Sequence, residues 1–148
     1  MKTATRRLGL LAALGMILGL VGCSSSEPMV KVKGKVHKNG EPLAVQELPS
    51  GAGGRVMVLF HGLDLGEKPS SGPYGAIVKP DGTFSVTGNT GRGIPPGKYR
   101  VEVKWQDPFP MGKDQLEGKF GKQTSPVVVD IPSPGDININ VAGATGKS

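Results

Sequence analysis

The chain has 148 residues, with 18 Lys and Arg against 12 Asp and Glu, a single cysteine, 24 Gly and 13 Pro. One cysteine excludes an internal disulfide, so the fold must rest on an apolar core, which a domain of about 120 residues is large enough to bury. Three of the basic residues fall in the first 22 and no acid does. The remainder has 15 basic and 12 acidic side chains, a net +3, which argues against a nucleic-acid partner.

Residues 1–7 carry Lys2, Arg6 and Arg7, and residues 8–22 are almost wholly apolar. A basic head, a short apolar run and a small residue before a cut are the parts of an export signal. The 15-residue run is shorter than the roughly 20 residues of a bilayer span. It ends in Leu20-Val21-Gly22-Cys23, which resembles a bacterial lipobox. That resemblance implies cleavage between Gly22 and Cys23 and acylation of Cys23, so the protein is expected outside the cytoplasm, held to a membrane by its N-terminal lipid. The competing reading is an uncleaved anchor helix with Cys23 a bystander. Several acyl CH₂ groups, each worth about 0.8 kcal/mol, make multiple acylation a firm anchor. Ser24 stands where many lipoproteins retained in the inner membrane have Asp, so the resemblance points to the outer membrane or cell surface. The expected organisation is a signal peptide at 1–22, a Ser-rich tether at 23–28, one domain at 29–142 and a flexible tail at 143–148.

Within the domain, Gly and Pro punctuate short alternating runs. Residues 30–37 place Val30, Val32 and Val36 on one face and Lys31, Lys33, Lys35 and His37 on the other, the period of a half-buried strand. Asn39-Gly40 ends it with a turn. Residues 55–61 are apolar on both faces at their centre, which fits a central strand. Residues 69–75 read as loop. Residues 76–79 and 83–86 flank Pro80-Asp81-Gly82, a hairpin signal. After the stiff Gly93-Ile94-Pro95-Pro96-Gly97, Tyr99, Val101, Val103 and Trp105 share one face, and Lys98, Arg100, Glu102 and Lys104 the other. Tyr99 is expected between the sheets, with Gly97 in a conformation few residues adopt. A long loop, 106–125, precedes two last runs at 127–131 and 136–141. About seven strands without an amphipathic helix predict an all-β, antiparallel Greek-key sandwich.

Three pieces carry a family resemblance. They are Val32-Lys33-Gly34-Lys35-Val36 with Asn39-Gly40-Glu41-Pro42-Leu43, then Asp81-Gly82-Thr83-Phe84, then Ile94-Pro95-Pro96-Gly97-Lys98-Tyr99-Arg100-Val101. In this order they resemble the carboxypeptidase regulatory-like, or transthyretin-like, sandwich modules of bacterial surface proteins. Residues 113–120, followed by Ser125-Pro126, are similar to a loop of small planctomycete lipoproteins of this type. The resemblance implies a binding, spacer or folding-support module without a cofactor. Its motifs are turn chemistry, and fold alone does not assign an activity.

Candidate sites are few. Hydroxyisourate hydrolases share the transthyretin fold, but their Tyr-Arg-Gly-Ser terminus is missing from the Ala144-Thr145-Gly146-Lys147-Ser148 end, and Tyr99-Arg100 is followed by Val101. The two histidines, His37 and His61, read as solvated or locally bonded. Asp64, Asp81, Asp107, Asp114 and Asp136 are scattered through turns, where Asp serves backbone hydrogen bonding, so no metal ligand set is expected. Lys31, Lys33 and Lys35 on one strand and Lys98, Arg100 and Lys104 on another would form a basic surface for anionic headgroups or acidic glycans if they shared a sheet. The bland reading is lysines that prevent edge pairing. The 106–125 loop either folds back over an open end of the sandwich, anchored by Phe109, Met111, Leu116 and Phe120, or presents Phe109 and Met111 to a partner. The reading that results is a non-enzymatic, lipid-anchored module with an envelope protein or glycan as partner. The alternatives are a carbohydrate- or envelope-polymer-binding module and, third, a transthyretin-fold hydrolase.

Overall fold

The computed structural model describes residues 28–43, 53–63 and 72–142. Gly22 and Cys23, with the rest of the signal segment, Ser24 to Glu27 of the tether and the 143–148 tail, lie outside the described residues. The described part is an all-β sandwich of nine strands: β1 Val32–Lys38, β2 Glu41–Pro42, β3 Arg55–Gly62, β4 Tyr74–Ile77, β5 Thr83–Val86, β6 Gly97–Asp107, β7 Lys113–Asp114, β8 Val128–Ile131 and β9 Ile137–Asn140. Seven have four residues or more, as the runs predict.

The first sheet is built on β1. β5 and β2 lie along one side of it, since Val36 donates its N–H to Gly82 O and accepts at its carbonyl from Leu43 N. β9 lies along the other side, in parallel, with Gly34 opposite Ile137 and His37 opposite Asn140. The second sheet runs β4-β3-β6, with β7 and β8 on the far side of β6. β3 and β6 pair over eight residues, from Arg55 with Gln106 to Gly62 with Tyr99. β3 is therefore central, as its two-faced apolar run predicts. Among the described strands pairing is antiparallel, as expected, with the one exception that β9 joins β1 in parallel.

The hairpin expected at Pro80-Asp81-Gly82 is also corrected. The turn closes, with Gly82 N donating to Lys79 O and Lys79 N to Thr83 O. Its arms then part, β4 to β3 in one sheet and β5 to β1 in the other. Val78 N already donates to Val56 O. The turn is thus a corner between layers. Turn chemistry specifies the reversal and not the sheet each arm joins. The 69–75 loop also ends earlier than expected, because Tyr74 and Gly75 belong to β4.

The core lies between the sheets. Val32, Val36, Phe84, Val86, Ile137 and Ile139 come from one, and Val56, Val58, Phe60, Tyr99, Val101 and Val103 from the other. Each aliphatic or aromatic side chain so buried stabilises by roughly 1.5–3 kcal/mol. The ring of Phe60 lies 6.2 Å from those of Phe84 and Tyr99, and Tyr74 is 6.3 Å from Tyr99, within the range of favourable tilted aromatic pairs. Gly34 explains the gap between Val32 and Val36 in the inward stripe of β1. A Cβ there would come within 2.5 Å of the Phe84 ring, so its absence makes room for the aromatic cluster. Tyr99 is fully buried and its hydroxyl donates to Pro95 O at 2.7 Å. Gly97 has φ +150°, as expected of the residue that starts β6.

The 106–125 loop folds back onto the sandwich. Leu116 and Phe120 are buried, Val103 N donates to Phe120 O, and Ser125 Oγ donates to Val101 O. Asp114 accepts from the N–H groups of Trp105, Leu116 and Gly118 and shapes the turn. Phe109 is half-buried under the Arg55 guanidinium, 4.0 Å from its ring centroid, whereas Met111 is almost fully exposed. Trp105 is half-buried against the core, at its rim.

Candidate functional site

The six cations singled out in the sequence do not form one surface. Lys33 and Lys35 alternate with the inward Val32, Gly34 and Val36 of β1, so with Lys31 they point outward from the first sheet. Lys98, Arg100 and Lys104 alternate with Tyr99, Val101 and Val103 of β6 and point outward from the second. Strand alternation sends the two trios to opposite faces of the sandwich. The composite basic face is therefore corrected to two separate ones.

The two basic strands differ in their surroundings. On β6, Glu102 sits between Arg100 and Lys104, and its side chain is only 7% exposed. His61 Nε2 lies 2.6 Å from Glu102 Oε2, and Lys104 Nζ 3.3 Å from Oε1. The β3–β6 register sets up the contact. Leu59 pairs with Glu102 and His61 with Arg100, which leaves His61 diagonal to the carboxylate on the same outward face. Leu59 in turn leans across the sheet over Gly75, where a Cβ would meet its Cδ2 at 2.8 Å. Glu102 is buried, and the bonds of its two carboxylate oxygens to His61 and Lys104 compensate its lost hydration. Arg100 is half-buried, with its Nη1 donating to Gln123 O at 3.4 Å and its Nε without a partner among the described residues.

A histidine held by a carboxylate is the orienting half of a hydrolytic triad, but the chemistry also needs a nucleophile bonded to the ring. The bond His61 makes among the described residues is to Glu102. His37 is on the outward side of β1 in the other sheet, so the two histidines cannot serve one site. The His61–Glu102 hydrogen bond ties β3 to β6, and Lys104 pairs with the same carboxylate from along β6. Among the described residues no three His, Cys, Asp or Glu side chains gather where a metal ion could be held. Asp81, one of the scattered turn acids, accepts from the N–H and hydroxyl of Thr83, and these bonds hold its carboxyl below the usual range.

On β1, by contrast, the cations border open space. A groove of about 200 Å³ runs beside the start of the strand, lined by the polar Lys31, Lys33, Ser133 and Asp136 together with the apolar Val32 and Ile131. Ser133 was not singled out in the sequence, and Asp136 only as a turn acid. Their sole signal is a Pro-Ser-Pro-Gly connection between two strand runs. The pairing of His61 with Glu102 was also missed. Its one hint is that Glu102 is the single acid in an otherwise cationic stripe. Compared with known proteins, the chain matches no family model, no curated protein and no solved structure.

Proposed function

We propose that this protein is a lipid-anchored, non-enzymatic β-sandwich module of the cell envelope, displayed at an outer membrane or cell surface. The observation that carries the reading is the Leu20-Val21-Gly22-Cys23 sequence after a basic head and a 15-residue apolar run, followed seven residues later by Val30, the first of the described residues to pair within the sandwich. The likeness of its turn motifs to transthyretin-like surface modules supports the same reading. So does the separation of His37 and His61 onto opposite faces, which gives a hydrolase no shared site. The domain then works by presenting a surface, with an envelope protein or glycan as its partner.

Labelled palmitate supplied to cells expressing the full chain tests the anchor. Incorporation into the wild type and its loss in Cys23→Ser are expected. Equal incorporation into both would overturn it, and a signal segment still attached to the mature protein would favour the anchor helix instead.

A further inference from the structure

The two edges of β1 differ where the strand begins. On the β5 side Val30 exchanges both backbone bonds with Ile94, and Val36 N donates to Gly82 O. Backbone groups alternate in direction along a strand, so those of Lys31 and Lys33 turn to the other side. There β9 arrives only at Ile137, opposite Gly34. The groove described above is lined by both this stretch of β1 and the connection through Ser133 to Asp136.

Two lysines and one aspartate are among the residues that line this groove, and none of the three is ion-paired with a described residue. A simple anion would face Asp136, and a simple cation would face two lysines. A ligand carrying both signs a few bonds apart satisfies all three groups. At about 200 Å³ the groove is smaller than the roughly 300–1,000 Å³ clefts that take drug-sized molecules. It suits a headgroup and not an acyl chain.

Position selects among zwitterions, an argument that rests on the lipid-anchored reading above. Cys23 precedes Val30 by seven residues, at most about 25 Å of extended chain. The eleven residues of β6 alone extend roughly 36 Å. The start of β1 is therefore the end of the sandwich held next to the bilayer. Met29, 41% exposed, lies at the same end. We propose that this groove binds the phosphoethanolamine headgroup of a membrane lipid, its phosphate toward Lys31 and Lys33 and its ammonium toward Asp136. A lipid-anchored domain with such a groove would be held at a fixed tilt on the membrane.

The test is competitive lysine acetylation of the full-length chain in neutral detergent, read residue by residue by mass spectrometry. Glycerophosphoethanolamine should slow acetylation of Lys31 and Lys33 roughly threefold or more once it exceeds its Kd a few times over, and leave Lys35 unchanged. Asp136→Asn should abolish the preference for glycerophosphoethanolamine over glycerophosphate while keeping the response to phosphate. Equal protection by inorganic phosphate would mean an adventitious ion only, and protection of Lys35 equal to that of Lys31 would mean general screening. Either overturns the proposal. A second arm uses the acylated protein in vesicles. Greater protection in phosphatidylethanolamine than in phosphatidylcholine vesicles, whose quaternary ammonium cannot donate to Asp136, supports the lipid as source. Protection by the soluble headgroup without that difference overturns the lipid source. The acyl mass on the Cys23 peptide is read in the same experiment. Its absence would remove the anchor reading on separate grounds, since the first arm requires no anchor.

Discussion

β1 and β6 present the same pattern in sequence, apolar residues inward and mostly cations outward, yet their outward faces are different surfaces. β6 is flanked along its whole length, by β3 on one side and by β8, the Phe120 segment and β7 on the other. At the centre of its outward face an acid becomes a buried, doubly partnered group. β1 is bordered on one side only where it starts, and its lysines stay exposed beside a groove. Alternation therefore reports which side chains enter the core. What the other half does depends on how far the neighbouring strands extend, a property of register between distant segments.

The largest expected effects lie on the inward side of β6, where the comparison is sharpest between adjacent residues. Tyr99→Ala removes the ring at the junction of Phe60 and Tyr74 and should cost roughly 3–5 kcal/mol. Lys98→Ala beside it should stay within about 0.5 kcal/mol. Urea midpoints check both, and similar values would invalidate the assignment of inward and outward faces along β6. Tyr99 also gives a pH signature. Burial pushes its hydroxyl from 10 up to about 12, so the folded state favours the protonated form. The contribution is fully present below pH 10 and is lost as pH rises from 10 through 12, by roughly 2–3 kcal/mol. In Tyr99→Phe this part of the alkaline loss should vanish, which pH-dependent urea denaturation of the two proteins would reveal.

The outward faces come next. Glu102→Gln keeps the shape of the side chain and removes the charge that meets His61 and Lys104. A loss of about 1.5–3 kcal/mol is expected, the range for hydrogen bonds to a charged group. Lys33→Gln, on the outward face of β1, should change stability by no more than about 0.5 kcal/mol. If thermal midpoints placed the two substitutions together, Glu102 would be an ordinary surface acid and the contrast between the strands would collapse.

What could be read in the sequence divides along the same line. The inward stripes of β1, β6 and β9 follow from period-two alternation, and with them the sandwich. The two apolar faces of β3 marked its central place, and Leu116 and Phe120 marked the loop that folds back. Three features escaped because each depends on pairing between remote segments. Nothing local in residues 136–141 says that β9 joins β1 in parallel. Nothing in Pro80-Asp81-Gly82 says that its arms enter different layers. The His61–Glu102 contact spans 41 positions, and only the β3–β6 register brings it about. Gly34 is an intermediate case. Its inward parity was legible, but its reason, the Phe84 ring against its Cα, needs both strands.

The smallest expected effect is at the corner that joins the two sheets. Asp81 Oδ1 accepts from Thr83 N at 2.9 Å and from Thr83 Oγ1 at 2.6 Å, on an exposed turn. The bond from the Thr83 hydroxyl is the main cause of its depressed carboxyl pKa, followed by the bond from the Thr83 N–H. Because the folded value lies below the ordinary 3.8, the contribution of this group is present above that pH and disappears as pH falls through the lowered value. Thr83→Val removes the hydroxyl and keeps the backbone bond, so the Asp81 midpoint should rise only part of the way toward 3.8. Carboxyl carbon shifts followed by NMR in both proteins would show it. An unchanged midpoint would mean that the hydroxyl bond does not persist in solution and that the Thr83 N–H bond, with the backbone bonds of Lys79 and Gly82, holds the corner. A full return to the ordinary value would mean that losing the hydroxyl opens the turn altogether. That would tie the partition of β4 and β5 between the two layers to a single side-chain bond.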